Sequence, residues 1–224
     1  MARGAPLMTL LVDRSFLVRA ISMDSQARTT NDGNRPVRIG VADGILDTWD
    51  TPFLEASSVK GYLDGASAAV AFLPASGADG VDRVRFSAVP AAGKIVAVSA
   101  DAAAINLDVL EAVQADAEER MAGSVQAAGY KWPITGSALT VVRPEIVREV
   151  KELLRARRGQ DITRNAAGRT PQEQWRYDIA TGKIPLPPDT PKVTASDVDA
   201  DDAGGVWGSD VAVFGGSDTS EFGQ

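Results

Sequence analysis

The sequence predicts an α+β chain: a β-rich barrel or sandwich, then a small helical bundle, then an extended acidic tail. Three observations carry that expectation. Short apolar runs separated by Gly- and Asp-rich turns fill residues 1–103, the spacing of several short strands. Apolar residues at steps of three and four then run from Leu107 to Ala128 and return after Pro144, the helical period. Past Pro188, Gly, Asp, Ser and Thr dominate, a composition too polar to bury a core. The divisions expected are therefore 1–103, 104–187 and 188–224.

Leu10-Leu11-Val12 and Phe16-Leu17-Val18 each read as a strand or a short helix. That first apolar stretch meets Asp13 and Arg14 without a small-residue cleavage site, so it does not read as a signal peptide. Residues 26–38 turn to Arg, Thr, Asn, Asp, Gly and Pro, a loop composition. Pieces at 39–41, 45–46, 59–63 and 69–73 follow, divided by Asp43-Gly44, Asp64-Gly65, Ser76-Gly77 and Asp79-Gly80. The clearest hairpin reads as Val81–Ser87 against Lys94–Ser99, with Val84 and Phe86 alternating with Arg83 and Arg85.

Asn106 is the expected cap of a long helix, with Asp108 and Glu111 where the dipole favours anions. Leu107, Leu110, Val113, Ala117, Met121, Val125 and Ala128 give it one apolar stripe, about 34 Å long. Asp116, Glu118, Glu119 and Arg120 read as its solvated face, and Gly129 as its stop. A second helix is expected to begin at Pro144 and to bury Ile146, Val147, Val150, Leu153 and Leu154. Thr170-Pro171-Gln172-Glu173 spells a capping box for a third, carrying Trp175 and Ile179 and ending at Gly182.

The chain has no cysteine and no histidine, which removes disulfides, thiolate nucleophiles, Cys/His zinc sites and imidazole triads. No apolar run reaches the length of a membrane span, about 18 residues. Net charge is −7 but uneven: residues 188–224 hold eight acids against Lys192, and residues 143–169 hold eight basic residues against four acids. An acidic tail beside a basic helix suggests pairing within or between chains. Nucleic acid competes for the same basic residues, Arg155, Arg157 and Arg158, which form the densest cluster. Asp197-Val198-Asp199-Ala200-Asp201 imitates a calcium loop, but Asp202 and Gly208 occupy the places that need Gly and Glu. No phosphate loop surrounds Gly93-Lys94, and no motif singles out a catalytic pair among the 30 acids.

An acidic helix leading into Gly129-Tyr130-Lys131-Trp132-Pro133-Ile134 precedes the Arg-rich helix. A short helix with Trp175 and the closing Ile179-Ala180-Thr181-Gly182-Lys183-Ile184-Pro185-Leu186-Pro187 follow it. This stretch resembles the Mu-type phage head–tail connector family over residues 105–187. The family starts close to its long helix, whereas here the β-rich block stands first. The resemblance implies a structural virion protein without chemistry or cofactor of its own. It would form a ring of itself, on the order of twelve copies, under the portal protein and above tail or neck proteins. It would be made in the host cytoplasm and located in the virion. Genomic DNA would pass in the channel, and no membrane would be involved.

The candidate basic interface is Arg155, Arg157 and Arg158. The candidate docking anchors are Trp207, Val211, Val213, Phe214 and Phe222, apolar beads on an acidic string. Two other functions compete: a ligand-binding β module with the helices as its stalk, and a carboxylate-based hydrolase.

Overall fold

The computed structural model describes residues 11–24, 35–101 and 103–194, and these form antiparallel sheets followed by a helical unit. The tail anchors expected at Trp207, Val211, Val213, Phe214 and Phe222 lie outside the described residues.

The chain enters through α1 (Arg14–Ser22), which settles the choice left open for Phe16–Val18. Asp13 decides it locally, its carboxylate accepting the amides of Ser15 at 2.9 Å and Phe16 at 3.3 Å. Leu17 and Ile21, one turn apart, are then fully buried, and they are buried among the later helices rather than the strands.

The β unit comprises β1 (Val37–Val41), β2 (Thr48–Asp50), β3 (Phe53–Leu54), β4 (Val59–Leu63), β5 (Ala66–Ala68), β6 (Val70–Leu73), β7 (Arg83–Phe86), β8 (Ile95–Ala100) and β9 (Ile105–Asn106). One sheet runs β1-β8-β4-β5, a second β2-β7-β6, and β3 pairs with β9. Asp64 and Gly65, both at positive φ, make the two-residue turn between β4 and β5. The first two sheets face each other across Phe53, Val84, Phe86, Val96 and Val98. Two glycines set how closely they approach. A Cβ on Gly61 would lie 2.4 Å from Val70 Cγ1, and one on Gly40 2.8 Å from the Trp49 ring.

The expected hairpin of Val81–Ser87 with Lys94–Ser99 does not form. β7 pairs with β2 and β6, whereas β8 pairs with β1 and β4. An isolated two-stranded ribbon is marginal in water. Val84, Phe86, Val96 and Val98 bury completely only when residues 87–94 carry the chain from one sheet to the other.

β9 hands the chain directly to α2 (Leu107–Ala127), where Asn106 Oδ1 accepts the amides of Asp108 and Val109. Gly129, at φ +81°, ends the helix as expected. α3 (Ala138–Arg157) starts six residues before Pro144, so that proline is not at the helix start. The buried positions Ala138, Val142, Ile146, Val150 and Leu154 extend the stripe backward by whole turns. Pro144 is exposed, so the packing of that stripe outweighs the local preference of proline for a first turn.

α4 (Pro171–Ala180) carries the complete capping box, with Glu173 N–H on Thr170 Oγ1 at 3.2 Å and Thr170 N–H on Glu173 Oε2 at 2.8 Å. Leu110, Met121, Val150, Leu154 and Ile179 are buried in a single cluster, against which Val113, Leu153 and Trp175 pack partly exposed. The exit segment turns back on the body: Leu186 is buried, Lys131 donates to Pro191 at 2.9 Å, and Val193 to Gly129 at 2.9 Å. Residues 188–194 are thus tied to the α2–α3 connection, so the body extends beyond the Pro188 boundary that composition suggested.

Candidate functional site

The basic residues expected to form one interface divide in two. Arg155 turns back toward the fold, its Nη2 2.8 Å from Asp24 Oδ2, with Lys151 Nζ 3.6 Å from the same oxygen. Asp24 follows α1, so this pair and carboxylate clasp the first helix onto the third. Arg157 and Arg158 are exposed at the C-terminal end of α3, where the helix dipole favours cations.

Beside the clasp lies an open hollow of about 660 Å³ between α3, the loop at 160–163 and the first turn of α4. Its charged walls are Arg148, Lys151, Glu152, Arg155 and Asp161. Arg148 is bonded to Glu145, which lowers the positive charge left for a visitor. Two buried polar atoms in this wall, Arg155 Nε and Gln172 Oε1, have no hydrogen-bond partner. The hollow therefore suits a polar segment that both accepts and donates hydrogen bonds better than a simple anion.

Two further acids escape a reading from sequence. Glu118, assigned to the solvated face of α2, is 4% exposed. Its carboxylate accepts the amides of Leu11 at 3.0 Å and Val12 at 3.3 Å, and Gln114 Nε2 at 2.9 Å. It holds the segment that leads into α1. Glu149 is 2% exposed, 3.1 Å from Arg176 Nη1 on α4 and 3.8 Å from Arg120 Nη1 on α2. Burial pushes its carboxyl above the usual range, against the pull of Arg176. Neither residue breaks the local pattern of a charged helix face, so only the tertiary partners reveal them.

In the β unit the buried acid is Asp82, whose two oxygens accept the amides of Ala56 at 3.0 Å and Ala75 at 2.9 Å. Asp101 does the same for Ser57, Ser58 and Ala103. Burial raises its carboxyl, but these amides outweigh it and hold the group below the usual range. Each of these carboxylates is engaged with backbone or arginine, and the work it does is to hold loops and helices together.

Among the described residues no group of three or more acids, His or Cys is placed to hold a metal ion, and no helix is long and apolar enough to cross a membrane. No family model, curated protein or solved structure matches this chain.

Proposed function

We propose that this chain is a structural virion protein, a head–tail connector that forms a ring of its own copies beneath a phage portal and joins the capsid to the tail. The observation that carries the reading is how the helical unit ends. α4, capped by Thr170 and stopped at Gly182, leads into Ile184–Pro187, and the exit segment is pinned beside Gly129–Lys131. The residues of the connector-like pattern, from Gly129–Ile134 through Trp175 to Leu186, thereby meet in one body from which the acidic C-terminal stretch departs. The engagement of Glu118, Asp82, Asp101 and Glu149 in holding the fold supports a structural role over a hydrolytic one.

In this reading Arg157 and Arg158 face acidic protein surface on the portal or a neighbouring copy. The residues past Thr194 extend onto the next subunit. Electron microscopy of the purified protein, alone and mixed with the portal protein of the same particle, tests the proposal. Closed rings that stack on the portal are expected. Monomers that leave the portal bare would overturn it.

A further inference from the structure

The β unit has a tip that its own fold leaves uncovered. Val41 and Ile95 are directly opposite on β1 and β8, and both are exposed. The loop after β1 adds Ile45, 78% exposed, and Leu46, 51% exposed. The loop before β8 adds exposed Val89. Ala42 N–H to Lys94 O and Gly93 N–H to Ala42 O, both 2.8 Å, bind the two loops side by side. Five large apolar side chains thus share one end of the sandwich, where scattered single exposures would need no explanation.

The tip is built firmly. Asp43 Oδ1 accepts the amides of Ile45 at 2.8 Å and Leu46 at 2.9 Å, so the most exposed side chains project from a fixed turn. The surroundings carry both signs of charge. Arg38 and Arg85 are exposed and make no ion pair with any described residue. Of the nearby acids, Asp64 is paired with Lys94, whereas Asp43 and Asp47 keep their charge while accepting from those amides and from the Thr48 hydroxyl.

We infer that this tip receives the C-terminal segment 206–214 of a second copy, with Trp207 and Phe214 seated on the apolar side chains and the tail acids facing Arg38 and Arg85. Residues 195–224 carry seven acids and no basic residue, interrupted by Val206-Trp207 and Val211–Phe214. The apolar pairs match the apolar patch, and the acids suit the two arginines beside it. The route of the chain favours a second copy. β8 runs from the tip toward the helices, and α2 continues for about 32 Å along its axis. The described chain ends at Thr194, beside the far end of α2. Trp207 is thirteen residues further on, a reach of at most about 45 Å. The inference shares with the connector reading that the stretch past Thr194 meets another copy, and it adds the tip as the surface that receives it.

The test uses the full chain in three forms: wild type, the tip variant Ile45→Asp/Ile95→Asp and the anchor variant Trp207→Ala/Phe214→Ala. Sedimentation velocity measures self-association at several concentrations, and thermal melts establish that each form is folded. Ile45→Ser alone serves if the double tip variant melts early. Each variant should associate roughly tenfold more weakly than wild type or worse. Mixing the two should restore association, because one supplies an intact tail and the other an intact tip. Wild-type association by either variant, or a mixture no better than its parts, overturns the inference. A tip variant that fails while the anchor variant associates normally assigns the tip to another occupant and overturns it too. Rings that still form and bind the portal after that result would leave the connector reading standing.

Discussion

The β unit and the helical unit close their cores by different means. In the β unit the two sheets close on small residues: Gly61 lies under Val70 and Phe86, and Gly40 under Trp49. Its buried carboxylate, Asp82, is satisfied by backbone amides. In the helical unit the helices are held apart by Leu, Ile and Met, and buried charges lie between them, Glu118 on the N-terminal segment and Glu149 on two arginines. The difference teaches where each region is fragile. A sheet sandwich spaced by glycine fails when something is added, and a bundle with an internal ion cluster fails when something is removed.

The largest effect should come from Glu149→Ala. Removing it leaves Arg176, with its side chain only 14% exposed, without its buried partner. The expected loss is about 3–5 kcal/mol, measured by chemical denaturation. A neutral result would show that the arginine finds water and that the cluster does not hold the bundle. The pH dependence has a definite sign. Because the folded carboxyl sits above its unfolded value, this group's contribution is most favourable at acid pH. It declines as pH rises from the ordinary Glu value through the folded one, and the variant should lack that component.

Leu154→Ala, at a fully buried position, should cost about 2–5 kcal/mol, and Leu153→Ala, which packs from the partly exposed side, clearly less. Equal losses in thermal melts would refute the assigned helix face. On the β side, Gly61→Ala adds one methyl where there is no room and should cost about 1–3 kcal/mol. An unchanged midpoint would mean that the sheets can separate at little cost. Thr170→Ala removes the capping oxygen and should cost about 0.5–2 kcal/mol. The smallest effect on stability belongs to Arg157→Ala/Arg158→Ala, within about 0.5 kcal/mol. Its effect should appear as weaker assembly on the partner. Salt-dependent binding to random duplex DNA, abolished by the same change, would reassign these residues to nucleic acid.

What the sequence made legible was local. Asn106, Gly129 and the Thr170–Glu173 box mark helix ends through bonds made within a few residues, and each stands where expected. Leu110, Met121, Val150 and Ile179 share one core because their spacing leaves no other face to bury. What stayed hidden depends on partners distant along the chain. Arg155 looks like any solvated helix end until Asp24, 131 residues away, is seen against it. Glu118 has the same local setting as Glu119, and only the amides of Leu11 and Val12 distinguish them. β7 and β8 have the pattern of a hairpin because period two reports a buried face and not the strand that covers it. Pro144 misled for a related reason, since its preference for a first turn is weaker than the pull of Ala138 and Val142 toward the core.

The role proposed for the whole chain is tested most directly by an averaged electron-microscopy map of the particle that carries it. A ring of density beneath the portal, each unit fitting the α2–α3–α4 body with a continuous extension from Thr194 onto its neighbour, is the result expected. Particles whose portal–tail junction is complete without this chain, or in which it lies on the capsid surface or tail fibres, would contradict it.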